Sequence, residues 1–133
     1  MEKPKIRNTL NNRGKRNRTV GHNYERQLAK EFREILGDKD CRTTRQSSRL
    51  LDSCKVDLDC YFLNIQAKNV RSNINYVELH NQISEELNKH LPKRADLPIA
   101  IFHKKQKQEY VVLTKETFYG FAKLYKDYID GLL

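Results

Sequence analysis

The sequence has no apolar run near the roughly 20 residues that a bilayer-crossing helix needs. Its N-terminus carries no apolar stretch behind the first basic residues, so a secretory leader is not expected and the chain is read as intracellular and cytoplasmic. Cysteine is scarce: Cys41, Cys54 and Cys60 form an odd set at spacings that match no zinc pattern. An intracellular chain keeps them reduced, and they are read as small packing residues. His22, His80, His90 and His103 are scattered over different elements, which removes a His/Cys metal cluster from consideration. No internal repeat is present. At 133 residues the chain suffices for one layered core and not for two.

Acidic residues are nearly missing from the first 20 positions. Lys3, Lys5, Arg7, Arg13, Lys15, Arg16 and Arg18 face Glu2 alone, so this arm carries +6 of the total +9. Such a segment cannot bury enough apolar surface to fold alone, and its natural partner is a polyanion whose counterions it displaces. Residues 1–20 are therefore expected to be a basic flexible arm directed at nucleic acid, and residues 21–133 a single domain. A merely solvated tail is the plain alternative.

From Gly21 to Leu36, Tyr24, Leu28, Phe32, Ile35 and Leu36 recur at helical spacing, with Gly37 as the stop signal. On a helical projection centred on Leu28, Glu25 falls at about +60°, inside this apolar stripe, whereas Glu31 and Glu34 fall outside it. Residues 40–49 read as a strand followed by a polar, basic loop. Residues 55–69 alternate as two antiparallel strands, though nothing near Tyr61-Phe62 resembles a tight hairpin turn. A helix over 75–91 ends at Pro92, two strands follow around 99–102 and 110–113, and a helix starts at Thr114. The order α-β-β-β-α-β-β-α predicts a mixed α/β sheet flanked by helices. The last helix carries Phe118, Tyr119, Phe121, Tyr125 and Tyr128, which suit either core packing or an interface.

Asp57 and Asp59 share one face of a predicted strand, and Gln66 and Lys68 one face of the next, so antiparallel pairing can bring them together. Glu25 can reach the same patch from the first helix. Metal-assisted phosphodiester cleavage needs hard oxygen ligands, here Glu25, Asp57, Asp59 and Gln66, with a Lys near the attacked phosphate. Each residue also has a plain reading, as cross-strand charge pairing or as a helix acid partnering a cation.

Gly21-His22-Asn23-Tyr24-Glu25, the segment Arg45-Gln46-Ser47-Ser48-Arg49, Val56-Asp57 and Ile65-Gln66-Ala67-Lys68, in that order, resemble the PD-(D/E)xK nuclease superfamily. Within it the chain is most similar to archaeal and phage Holliday junction resolvases, over roughly residues 21–69. The resemblance implies a restriction-endonuclease-like fold, Mg²⁺ (or Mn²⁺) dependence, branched DNA as substrate and a homodimer. It makes Asp57 the principal metal ligand, Glu25 a direct or supporting ligand, and Lys68 the residue that orients water and stabilises negative charge. Gln66 stands where the superfamily carries Glu, contributing no charge, and Asp59 is the candidate to compensate. Ser47 and Ser48, with Arg42, Arg45 and Arg49 around them and Arg16 and Arg18 in the arm, are the expected DNA contacts. A binding module of the same fold without cleavage, and a small basic RNA-binding factor, are the competing functions.

Overall fold

The computed structural model describes the backbone of residues 5–132 and the side chains from Gly14 to Leu132. In chain order the elements are α1 (Lys5–Glu34), β1 (Arg42–Thr43), α2 (Thr44–Ser47), α3 (Arg49–Ser53), β2 (Leu58–Asp59), β3 (Asn64–Asn69), α4 (Tyr76–His90), β4 (Ile99–Lys105), β5 (Gln108–Val112) and α5 (Lys115–Leu132). The fold is α/β, with one five-stranded mixed sheet in the order β1-β2-β3-β4-β5. Neighbours pair antiparallel except β3 and β4, which run parallel from Asn64↔Ile99 to Asn69↔Lys104 because α4 carries the chain back between them.

Helices cover both faces of the sheet. On one side Tyr24, Leu28, Ala29 and Phe32 of α1 pack on Leu58, Cys60, Ile65 and Ala100. On the other, Leu79, Ile83 and Leu87 of α4 pack on Val56, Ile99 and Ile101, together with Leu51 and Cys54. Each large apolar side chain withdrawn from water contributes about 1.5–3 kcal/mol, so these two stripes anchor the helices. α4 is framed by its sequence: the Asn75 side chain accepts from Glu78 N at 3.0 Å as an N-cap, and Pro92 follows its end.

Three local expectations are corrected. α1 begins at Lys5 rather than Gly21, so residues 5–20, read as a flexible arm, continue the helix, and residues 15–20 are exposed along it. Residues 1–4 lie outside the described structure. No proline interrupts residues 5–20, and Lys and Arg are good helix formers, so the helix extends without needing a buried face. At its other end α1 stops at Glu34, and Ile35 and Leu36 are exposed (74% and 55%) rather than part of the apolar stripe. Gly37 adopts φ +73°, a conformation that favours glycine and turns the chain away from the helix. Second, the expected loop over Arg45–Arg49 is two short helical segments, α2 and α3, with Ser48 between them.

Third, the β2–β3 connection needs no tight-turn sequence because a distant arginine holds it. Arg94 donates from Nη2 to the Cys60 carbonyl (2.6 Å) and the Leu63 carbonyl (3.0 Å), and from Nε to Asn64 Oδ1 (3.0 Å). Fully buried Asn64 returns its amide hydrogens to the carbonyls of Arg94 (2.9 Å) and Leu97 (3.2 Å). The polar groups of the bend are thus satisfied by a guanidinium that follows α4, a long-range partner that no local pattern announces.

Candidate active site and nucleic-acid interface

The site forms at the opposite end of the β2–β3 pair, where the chain entering β2 diverges from β3. Three hydrogen bonds lock this junction: Thr44 N to the Asp57 carbonyl (2.9 Å), Thr44 Oγ1 to the Val56 carbonyl (2.7 Å), and Asp57 N to the Ile65 carbonyl (2.7 Å). The start of α2, the entry to β2 and the middle of β3 are therefore fixed on one another. Asp57 precedes β2 and is half-buried. Its Oδ2 accepts a hydrogen bond from Ala67 N at 2.8 Å.

Burial pushes the Asp57 carboxyl up to about 7; the Ala67 N–H opposes the shift, the Glu25 carboxylate adds to it, and Lys68 opposes it. An anion in this position is under-solvated, and a cation brought beside it would be held strongly. Asp57, Glu25 and Lys68, from the β2 entry, α1 and β3, are thus within electrostatic reach of one another. The sequence expectation for these three is met as far as proximity goes.

Gln66 is buried (5% exposed), and its amide is oriented by its neighbours: Nε2 donates to Asp57 Oδ2 and to the Lys55 carbonyl (2.9 Å). Lys55 itself has φ 66°, a turn conformation that sets the approach to Val56. The amide thus serves the site as a hydrogen-bond donor to Asp57, a role that a carboxylate at the same position would fill only if protonated.

Glu25 is mostly buried (its side chain is 14% exposed) and forms a short ion pair with Arg45 Nη2. This explains an acid inside an apolar stripe: α2 delivers a guanidinium to it. Arg45, expected to contact DNA, is in this structure the partner of Glu25. Around the pair lies a cation cluster that the sequence reading missed. His22 is held below its ordinary pKa by burial first and then by Arg45, with Glu25 opposing and Arg26 and Arg18 adding to the depression. Arg18, His22 and Arg26 follow one another at four-residue steps on α1. Starting the helix at Gly21 hid this stripe, because Arg18 was then assigned to the arm.

The other expected residues are distributed differently. Asp59 pairs with Arg42 across β1 and β2, and the two line a separate cleft with Asp38, Lys39, Asp40 and Tyr61. Asp59 is therefore not gathered with Asp57, although the two share a strand parity, and the four-residue ligand set does not assemble as one. Ser48 is spent as the N-cap of α3, accepting from Leu51 N at 3.2 Å, while Ser47 Oγ reaches the Thr43 carbonyl at 3.4 Å. Arg16, Arg18, Arg42 and Arg49 are exposed and open to a polyanion.

Among the described residues, no group of three or more His, Cys, Asp or Glu converges to hold a metal by itself. Asp57 and Glu25 supply two carboxylates, which matches the way Mg²⁺ is usually held, by one or two carboxylates with waters and substrate phosphates completing the shell. No helix among the described residues is long and apolar enough to cross a membrane. Comparisons with protein-family models, with curated proteins and with solved structures found no match to this chain.

Proposed function

We propose that this chain is a divalent-metal-dependent, structure-selective DNA endonuclease of the restriction-endonuclease-like fold, with branched DNA, such as a four-way junction, as its substrate. One observation carries the reading: an under-solvated Asp57 lies within electrostatic reach of Glu25 and Lys68, each contributed by a different element. The arginines that would meet a phosphodiester backbone, Arg18, Arg26 and Arg45, border the same place.

In this reading Asp57 and Glu25 hold Mg²⁺ or Mn²⁺, which when bound lowers the pKa of a water and stabilises charge on the phosphate. Asp57 must be ionised to do so, and its raised pKa makes the site fill as pH passes neutrality. Gln66 keeps the Asp57 carboxylate oriented through its amide. Lys68 places an ammonium where negative charge develops on the phosphorane. Arg18 and Arg26 position the backbone, and Arg45 exchanges between Glu25 and a phosphate oxygen.

A second reading is favoured by a specific observation: Gln66 gives its N–H, rather than an anionic oxygen, to Asp57. A DNA-binding module of the same fold without cleavage follows if two carboxylates hold the ion too weakly for turnover. Incubation of labelled four-way junction and matched duplex with Mg²⁺, with Mn²⁺ and with chelator separates the two. Metal-dependent nicks confined to the junction support the nuclease. Binding without cutting that becomes cutting in Gln66→Glu supports the module, and cutting in chelator removes both.

A further inference from the structure

We propose that the exposed face of α5 is an interface between two copies of this chain, which pair through α5 as antiparallel helices. The inference stands on α5 alone and is independent of the nuclease reading.

No residue of α5 is buried, and it makes no extensive packing against any other element. Phe118 (56% exposed), Phe121 (42%), Tyr125 (68%), Tyr128 (63%) and Leu132 (64%) nevertheless form a continuous seam. Phe118, Tyr125 and Leu132 recur every seven residues, with Phe121 and Tyr128 between them, which is the spacing by which one helix seats side chains into the holes of another. An isolated helix of this length is marginal in water, so a helical seam of large residues calls for a partner.

Three observations identify that partner as a second copy. The apolar stripes of α1 and α4 are already spent on the two faces of the sheet, so α5 presents the free helical seam among the described residues. The seam is compatible with its own reversal: centred on Tyr125, it sets Phe121 against the partner's Tyr128 and Phe118 against the partner's Leu132, with opposed helix dipoles. Finally, α5 is neutral within a chain of net charge +9, since Lys115, Lys123 and Lys126 balance Glu116, Asp127 and Asp130. This surface neither attracts nucleic acid or anionic lipid nor repels its own copy.

The seam withdraws on the order of 600 Å² per copy from water, which places the pair at the lower edge of stable interfaces. Sedimentation of the full chain over the micromolar range should show a monomer–dimer equilibrium. Tyr125→Glu should weaken it by more than about tenfold, with the far-ultraviolet dichroism of the sheet and α4 retained, and Glu116→Gln should leave it unchanged. An independent variant, Tyr125→Cys, should yield an oxidised dimer on mild oxidation, because Cys41, Cys54 and Cys60 are buried and cannot cross-link. A wild-type chain that stays monomeric throughout, or a dimer indifferent to both Tyr125 substitutions, overturns the proposal.

Discussion

The two ends of the β2–β3 pair bury polar groups in opposite ways. At the closed end, Arg94 and Asn64 satisfy one another and the carbonyls of Cys60, Leu63 and Leu97, so a bend without a turn sequence becomes rigid. At the open end, Asp57 is held by the Ala67 N–H and the Gln66 amide but remains raised to about 7. One end is a satisfied network and therefore scaffold. The other stores an unfavourable charge that a bound cation would relieve, and such imbalance marks chemistry rather than support.

The sharpest way to break this comparison is to exchange residues between its ends. Asp57→Asn and Lys68→Ala should each lower DNA cleavage by about 1,000-fold or more while binding is nearly retained. Asp59→Asn, two residues away but in the Arg42 cleft, should change cleavage little. Equal losses for Asp57 and Asp59 in a nicking assay would erase the distinction.

At the closed end, Arg94→Ala should destabilise the fold by about 3 kcal/mol in urea unfolding, because several buried acceptors lose their donor together. Arg94→Lys should recover little of it, since an ammonium cannot reproduce the fork. A loss well under 1 kcal/mol would deny Arg94 its scaffolding role.

Stability against pH sharpens the open end. The folded-state pKa of Asp57 is raised from its ordinary carboxylate value of 3.8 to about 7, so the native state binds the extra proton between those values. Its contribution to stability is therefore favourable at low pH, declines as pH rises through that window and is fully unfavourable above it. In metal-free buffer at pH 8, Asp57→Asn should be more stable than the wild type, on the order of 2 kcal/mol. The gain should shrink as pH falls towards 4, and a variant less stable at pH 8 would contradict the assignment.

The smallest effect is expected at the border of the site. Replacing Arg18 or Arg26 by Gln should lower the salt dependence of DNA binding by about one ion per residue. Slopes unchanged in both variants would show that the α1 stripe does not meet the backbone.

Much of this architecture is legible in the sequence, for reasons that differ by element. α4 and the β4 and β5 strands bury one face each and so write a clean period, and they lie where that period places them. β2 is two residues long, too short to carry a pattern of its own, and its position depends on Arg94. α1 extends upstream because its exposed residues need no burial, which periodicity cannot report. Proximity of Glu25, Asp57 and Lys68 follows from strand pairing and is readable. The separation of Asp59 is not, because Asp57 sits just outside β2 and strand parity no longer relates the two. The role of Arg45 beside Glu25 required α2, where Thr-Arg-Gln-Ser reads locally as loop. For α5 the amphipathic period is clear, yet a period states that a face must be covered and not by what.

The most direct test is calorimetric titration of Mn²⁺ into the wild-type chain, Asp57→Asn and Asp59→Asn at pH 8. Binding that is lost in Asp57→Asn and retained in Asp59→Asn is the expected result. Binding that survives in Asp57→Asn would contradict the central claim that the open end of the β2–β3 pair is the cation-holding site.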